Sequence, residues 1–321
     1  MPDAAHQDVE RAAAILRAGG LVAFPTETVY GLGAAARDPA ALTRLYAVKG
    51  RPSDHPVIVH VASAADLPAW AADVPPAATA LAERFWPGPL TLVLRRAPGV
   101  PNAVTGGRET VGLRVPDQPL ALALLREFGD GIAAPSANRF GAVSPTTAAH
   151  VRASLGDDVD LILDGGPCAV GVESSIVDLS DPAAPRLLRS GGVGADELAA
   201  VLGTVPEPDT GPARAPGMLA AHYAPRARVE IRGDGEALAR AVREHSAGTG
   251  VIAPASVAAD LPDDVVVLGR PADAEAYARD LYALLREADD RGLARVLAVP
   301  PDPAGIGLAV RDRLARAAAA G

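Results

Sequence analysis

Five prolines, Pro206, Pro208, Pro212, Pro216 and Pro225, fall within the single stretch TVPEPDTGPARAPGMLAAHYAPR at residues 204–226. Each fixes φ and removes a backbone N–H, so neither a long helix nor a central strand can run through it. The stretch therefore divides the chain into an expected first domain at 1–204, an extended linker at 205–226 and a second domain at 227–321. At about 100–200 residues per domain, both blocks are long enough to enclose a hydrophobic core.

Both blocks alternate apolar runs of strand length with amphipathic stretches of helix length. In the first, helices are expected at 8–18, 39–48, 76–85, 119–128, 144–156 and 195–203, and strands at 21–24, 57–61, 90–94, 111–115, 131–134, 160–164 and 173–179. Asp38-Pro39 supplies an N-cap followed by proline at the first helical position. In the second block, strands at 227–231, 250–254, 265–269 and 295–300 alternate with helices at 234–246, at 271–290 and at the C-terminus. The fold class is α/β: a twisted mixed sheet with flanking helices, then a small Rossmann-like domain with a mainly parallel sheet.

Composition narrows the function. A single cysteine, Cys168, allows no intramolecular disulfide and no Cys-based zinc finger. No apolar run reaches membrane-spanning length, and Asp3, Asp8 and Glu10 stand where a signal peptide would be basic, so a cytoplasmic protein without membrane attachment is expected. The net charge of −9 argues against an extended nucleic-acid surface but leaves room for a focused anion site. Of the 30 basic residues only Lys49 is a lysine, where composition alone would place an arginine.

Familiar catalytic fingerprints are absent. Gly31-Leu32-Gly33 lacks the third glycine of a dinucleotide site, and Lys49-Gly50 reverses the Gly-Lys order of a P-loop. His55 and His60, five apart on an extended segment, point to opposite faces and make a poor metal pair. Gly171-Val172-Glu173-Ser174-Ser175 is not a nucleophile elbow. What remains is polar residues gathered at strand ends, where open α/β sheets bind ligands. PTETVYGLG (25–33) carries two threonine hydroxyls, a carboxylate and a tyrosine; read alone it is a polar turn. KGRPSDHP (49–56) crowds two cations, which would also suit an ordinary helix C-terminus. Arg114 in VGLRV needs an anionic partner if buried, and a structural carboxylate would serve as well as a ligand. Ser136 and Asn138 of APSAN follow a strand, Ser144 is placed to open a helix, and ESS (173–175) opens a strand with polar groups.

In that order, PTETVYGLG, KGRP, WPGPLT, VGLRVP, APSAN, SPT and GVESSIVD resemble the YrdC-like domain of the threonylcarbamoyl-AMP synthases, and PGMLAAHYAP with the second block resembles their long, two-domain form. The resemblance implies a nucleotidyltransferase that forms threonylcarbamoyl-AMP and pyrophosphate from L-threonine, bicarbonate or carbon dioxide, and ATP, with Mg²⁺ accompanying the nucleotide. A downstream tRNA threonylcarbamoyl transferase would use the product, with tRNA contact by this chain weak or indirect. It also implies site residues. Lys49 and Arg51, the expected catalytic pair, contact the ATP phosphates, and Ser53, Thr110, Ser136, Asn138, Ser144, Arg189 and Tyr223 complete the nucleotide site. Thr26, His60, Arg114 and Ser174 hold threonine, Arg114 through a planar fork that lysine could not reproduce. No metal-ligating side chain is implied. Two departures stand out: Leu219, Ala220 and Ala221 occupy places where the family commonly has basic residues, and Ser190 replaces a frequent proline.

An adenylate product is lost to water, so the linker at 205–225 is expected to act as a lid. Two rival functions fit less well. A non-enzymatic RNA-binding module needs basic surface and stacking rings, against a charge of −9 and 3% aromatics. A hydrogenase-maturation carbamoyl transferase would carry cysteine-rich zinc segments. Replacing Lys49 by Arg is expected to abolish most activity with little loss of stability.

Overall fold

The computed structural model describes residues 4–208, 222–244, 247–258, 261 and 265–320. Most of the expected lid, 209–221, including Leu219, Ala220 and Ala221, lies outside the described residues. By contact the chain forms two compact units. One comprises the residues up to 140, 145–169 and those from 173 to the linker; the other comprises 141–144, 170–172 and the chain beyond the linker. No local pattern in the first block marks 141–144 and 170–172 as segments that group with the second.

The first unit runs α1 (Ala4–Arg17), β1 (Val22–Phe24), β2 (Gly31–Ala35), α2 (Pro39–Lys49), β3 (Ile58–His60), α3 (Pro76–Phe85), β4 (Leu90–Arg95), α4 (Asn102–Thr105), β5 (Thr110–Arg114) and α5 (Pro119–Phe128). It continues with β6 (Ile132–Ala133), α6 (Ala148–Leu155), β7 (Leu161–Ile162), β8 (Ser175–Asp178), β9 (Arg186–Arg189), α7 (Ala195–Leu202) and β10 (Glu207–Pro208). Ten strands form one mixed sheet in the order β10-β9-β8-β4-β5-β3-β6-β2-β1-β7. The start of the linker is thus an edge strand, β10, parallel to β9, a position that tolerates proline.

Side-chain alternation along the strands separates core from site. Val59, Leu92, Leu94, Leu113 and Val177 join the main core with residues of α2, α3 and α7 such as Leu42, Leu45, Leu81 and Leu198. One residue out of phase, Ile58, Val93 and Ile176 pack with Leu188 in a small cluster on the opposite face. His60, Thr91, Gly112, Arg114 and Ser174 share that second phase.

Three local structures depart from expectation. β2 was read as a polar turn, yet Gly31 and Gly33 are strand residues: a Cβ at Gly33 would lie 2.9 Å from both Phe24 and Ile132, so glycine lets the Phe24 ring lie across the strand. Arg186–Arg189 also pairs as a strand. And α6 begins at Ala148, capped by Thr147, whose hydroxyl accepts the His150 N–H; Ser144 lies upstream of the helix and is not its cap.

The second unit holds β11 (Arg228–Ile231), α8 (Gly235–Glu244), β12 (Thr249–Ile252), β13 (Val266–Gly269), α9 (Ala274–Asp290), β14 (Arg295–Ala298) and α10 (Gly307–Ala318). Its four strands, ordered β11-β14-β12-β13, pair in parallel throughout. Parallel strands need crossover connections; α8 lies in the one from β11 to β12 and α9 in the one from β13 to β14.

Helix α2 delivers Lys49 to its place. Asp38 Oδ1 accepts the N–H groups of Ala40 (2.8 Å) and Ala41 (3.2 Å), and Gly50 ends the helix in the left-handed region at φ 67°. Asp38→Ala is expected to lower stability by about 1 kcal/mol, read as a shift in the urea midpoint; an unchanged midpoint would show that tertiary packing alone sets this helix.

Candidate active site

Three polar clusters occupy the first unit. The first surrounds Lys49, the last residue of α2 and only 1% exposed. Its Nζ donates to the carbonyls of Ser136 (2.6 Å) and Asn138 (2.9 Å), with Ser136 Oγ at 3.3 Å and Asn138 Oδ1 at 3.4 Å. Lys49 O in turn accepts the Phe140 N–H, so the end of α2 and the 136–140 turn are tied from both sides. Arg51 is also buried, donates to Pro56 O (2.9 Å) and stands 5.9 Å from the Phe140 ring centre. Burial, with the Arg51 charge added, holds the Lys49 ammonium well below its ordinary pKa, and Glu173 partly opposes this.

The second cluster joins β1, β3 and β5. His60 and Arg114 are register partners on parallel strands. Arg114 Nη2 donates to Glu27 Oε1 (2.6 Å) and Nε to Gly88 O (3.2 Å), while Glu27 Oε2 accepts the Asp117 N–H (3.0 Å). Both ends of this ion pair are buried. The carboxylate thus fixes one edge of the guanidinium, and Nη1 makes no hydrogen bond among the described residues. His60 packs edge-on against Phe24, and its Nδ1 is buried with no partner among the described residues. Thr26 Oγ1 donates to Val29 O (2.6 Å) and accepts the N–H groups of Thr28 and Val29, which makes it the staple of the turn carrying Glu27.

The third cluster is Thr91, Ser174 and Arg189. Ser174 Oγ lies 2.8 Å from Thr91 Oγ1 and accepts from Arg189 Nη2 (3.1 Å), and Arg189 Nε donates to Ser174 O (3.0 Å). A register shift between Ile176 and Val177 sets Arg189 opposite Ile176, the face that alternation alone would have denied it. Gly191 makes room: a Cβ there would stand 2.2 Å from the backbone of Ser174 and Ser175.

The structure therefore groups Lys49, Arg51, Ser136 and Asn138, then Thr26, His60 and Arg114, then Ser174 and Arg189. Thr110, at the far end of β5 from Arg114, and Ser53, exposed on a turn, join none of these through hydrogen bonds among the described residues. Ser144, fully buried, and Tyr223, 1% exposed, belong to the second unit. His55 faces the Phe140 ring, away from any second metal ligand, and no three His, Cys, Asp or Glu side chains gather at metal-binding distance among the described residues. Sequence reasoning did not single out Glu27, Glu173 or Thr91. Glu27 had a signal in the requirement that a buried Arg114 find an anion; Thr91 had none.

Four cations of the first unit, Lys49, Arg51, Arg114 and Arg189, are buried among the described residues, against two buried carboxylates, Glu27 and Glu173. Buried cations need anionic or oxygen partners, and a bound anion is one such partner.

Burial and the Arg114 charge push the His60 pKa from 6.5 down to about 3, so the folded protein keeps this ring neutral where the unfolded chain protonates it. The stability this gives is complete above about pH 6.5 and is lost as pH falls toward 3. In urea titrations across that window, His60→Gln is expected to flatten the decline; equal slopes in variant and wild type would show that the ring titrates alike folded and unfolded.

Comparison with known proteins places the fold. The Sua5–YciO–YrdC family model, described as telomere recombination, matches residues 14–191, and a model described as threonylcarbamoyl-AMP synthase, C-terminal domain, matches 193–319. A Pyrococcus abyssi protein named threonylcarbamoyl-AMP synthase is 43% identical over 95% of this chain and 92% of its own length. A shorter one from Alkalilimnicola ehrlichii, with the same name, is 37% identical and covers 57% of this chain and 95% of itself. The crystal structure of P. abyssi Sua5 complexed with L-threonine superposes with a TM-score of 0.90 at 40% identity, covering 98% of this chain and 95% of that one. The chain belongs to the Sua5–YciO–YrdC family, in the two-domain form that carries the threonylcarbamoyl-AMP synthase C-terminal domain.

Proposed function

We propose that the protein is an L-threonylcarbamoyl-AMP synthase. The single observation that carries this is the gathering of four buried cations in the first unit, set in a chain related along its whole length to enzymes of that name. The reaction needs such a charge distribution. The threonine amine takes up carbon dioxide to give a carbamate; a carbamate oxygen then bonds to the ATP α-phosphorus, and the bond from that phosphorus to the bridging oxygen breaks to release pyrophosphate. Two anions must approach each other, so fixed cations in a poorly solvated pocket lower the barrier.

Each cluster has a part in this. Arg114, its edge held by Glu27, offers Nη1 and the adjoining Nη2 to the threonine carboxylate. His60, neutral at working pH, adds no charge and can exchange a hydrogen bond with threonine's polar groups. Ser174, bridged by Thr91 and Arg189, supplies a preset hydroxyl. Lys49 and Arg51 face the phosphates, and an incoming anion restores the ammonium pKa that burial depresses. Cationic, hydroxyl and amide groups suit a triphosphate that brings its own Mg²⁺ better than a bare divalent ion. That Mg²⁺ would neutralise charge on the leaving pyrophosphate. Bicarbonate or carbon dioxide as the one-carbon source, a tRNA threonylcarbamoyl transferase as the consumer of the product, and a cytoplasmic setting complete the proposal. Among the described residues no helix is long and apolar enough to cross a membrane.

Pyrophosphate release from ATP is expected to require both L-threonine and bicarbonate; release that needs neither would overturn the assignment. Lys49→Arg is expected to cut kcat by about 100-fold or more. Burial changes the stability half of the earlier expectation, because a wider head group in a site 1% exposed must also displace its neighbours. The same variant should therefore lose about 1–3 kcal/mol in urea unfolding. Wild-type turnover in it would remove Lys49 from the machinery.

A further inference from the structure

Helix α9 buries two adjacent stripes with four-residue spacing. Tyr277, Leu281 and Leu285 form one, and the Tyr277 hydroxyl reaches Ile252 O of β12. The second stripe, one residue on, is the buried Ala278 and Tyr282 with the half-buried Arg286. It meets three segments that belong neither to the parallel sheet nor to its helices.

At the first level, Gly171 approaches so closely that a Cβ there would lie 2.4 Å from Arg279 Cα and 2.5 Å from Ala278 O; its φ of 82° independently demands glycine. At the second, Tyr282 stacks on Tyr223 with ring centres 5.6 Å apart. Tyr223 sits at φ 61°, a strained conformation for a non-glycine residue that persists only where surroundings impose it. At the third, Arg286 Nη2 donates to Val143 O. The same segment is gripped at its two preceding residues, since Ala224 N–H donates to Gly141 O (3.0 Å) and Ala142 bridges Ala224.

Gly171 lies three residues before Ser174, Val143 immediately precedes Ser144, and Tyr223 is itself one of the expected nucleotide contacts. One helix stripe therefore sets three segments that lead to substrate residues. Arg286 is the polar member of the stripe. It forms no ion pair among the described residues, its only hydrogen bond there goes to Val143 O, and its Nε is buried without a partner. Leaving one guanidinium nitrogen buried and unpartnered costs stability, and the fixed position of the 141–144 segment is what it gains.

We infer that Arg286 is a positioning residue for nucleotide binding, acting through the Val143 carbonyl on Ser144. This rests on the synthase assignment above and on the family resemblance, which implies that Ser144 and Tyr223 contact ATP. Arg286→Met keeps the apolar volume and removes the donor. It is expected to raise KM for ATP about tenfold, leaving KM for L-threonine within about twofold, and Arg286→Lys should recover most of the loss. The same ranking is expected for binding of a non-hydrolysable ATP analogue by calorimetry. A Met variant with wild-type ATP affinity, or parallel loss of ATP and threonine affinity that Lys does not rescue, would overturn the inference. If the wild type binds the analogue but releases no pyrophosphate with threonine and bicarbonate, the synthase assignment fails, while the analogue titration still decides the role of Arg286.

Discussion

An ammonium group can be taken out of water only where enough oxygen replaces the water it loses, and the site in the first unit is built around that requirement at Lys49. The acceptors come from a turn almost ninety residues further on, and the only way to bring them is to hold the end of α2 against the strand-exit turn at 136–140. The Asp38 cap, the left-handed Gly50 and the Phe140 N–H all serve that meeting. Once it is made, Arg51 follows along the chain, and Glu173 enters its field beside Ser174. The fold thus concentrates positive charge at a place where the chain as a whole, at −9, is acidic. Net charge describes how a protein meets its surroundings; buried charge describes what it is made to hold.

Much of this was legible in the sequence, for reasons that differ from residue to residue. α3 and α5 occupy the expected residues because each begins with proline and carries its apolar residues on one face. Asp38 could be named as a cap because the Asp-Pro pair has one common use. Strand β2 was hidden because its glycines answer to the size of the Phe24 ring, a contact between strands that no local pattern records. The helix at 144–156 was placed too early because Ser144 and Thr147 are both capping residues, and only the neighbouring segments decide between them. Arg114 announced the need for a carboxylate without saying which, since Glu27 lies 87 residues away. Arg189 reaches the site face only through a register shift, which is invisible in a period-two pattern.

The second unit shows the same limit on a larger scale. Its strands and helices were apparent, yet no motif pointed to chemistry, because its contribution is spatial. Ala278, Tyr282 and Arg286 share nothing in residue type; only their spacing on α9 and the segments they meet make them a set.

The scarcity of lysine has a chemical side. A threonylcarbamoyl adenylate is an acylating agent, and the groups most open to it on a protein are unprotonated amines. With 29 of 30 basic residues present as arginine, whose guanidinium stays protonated and is a poor nucleophile, the side chains offer such a product a single amine. That amine is also the one whose lowered pKa would make it most reactive, were it free to move. It is enclosed, and donates to the carbonyl oxygens of Ser136 and Asn138 instead of standing free. The enclosure that keeps Lys49 out of water thus also keeps the one side-chain amine away from an acylating agent in solution.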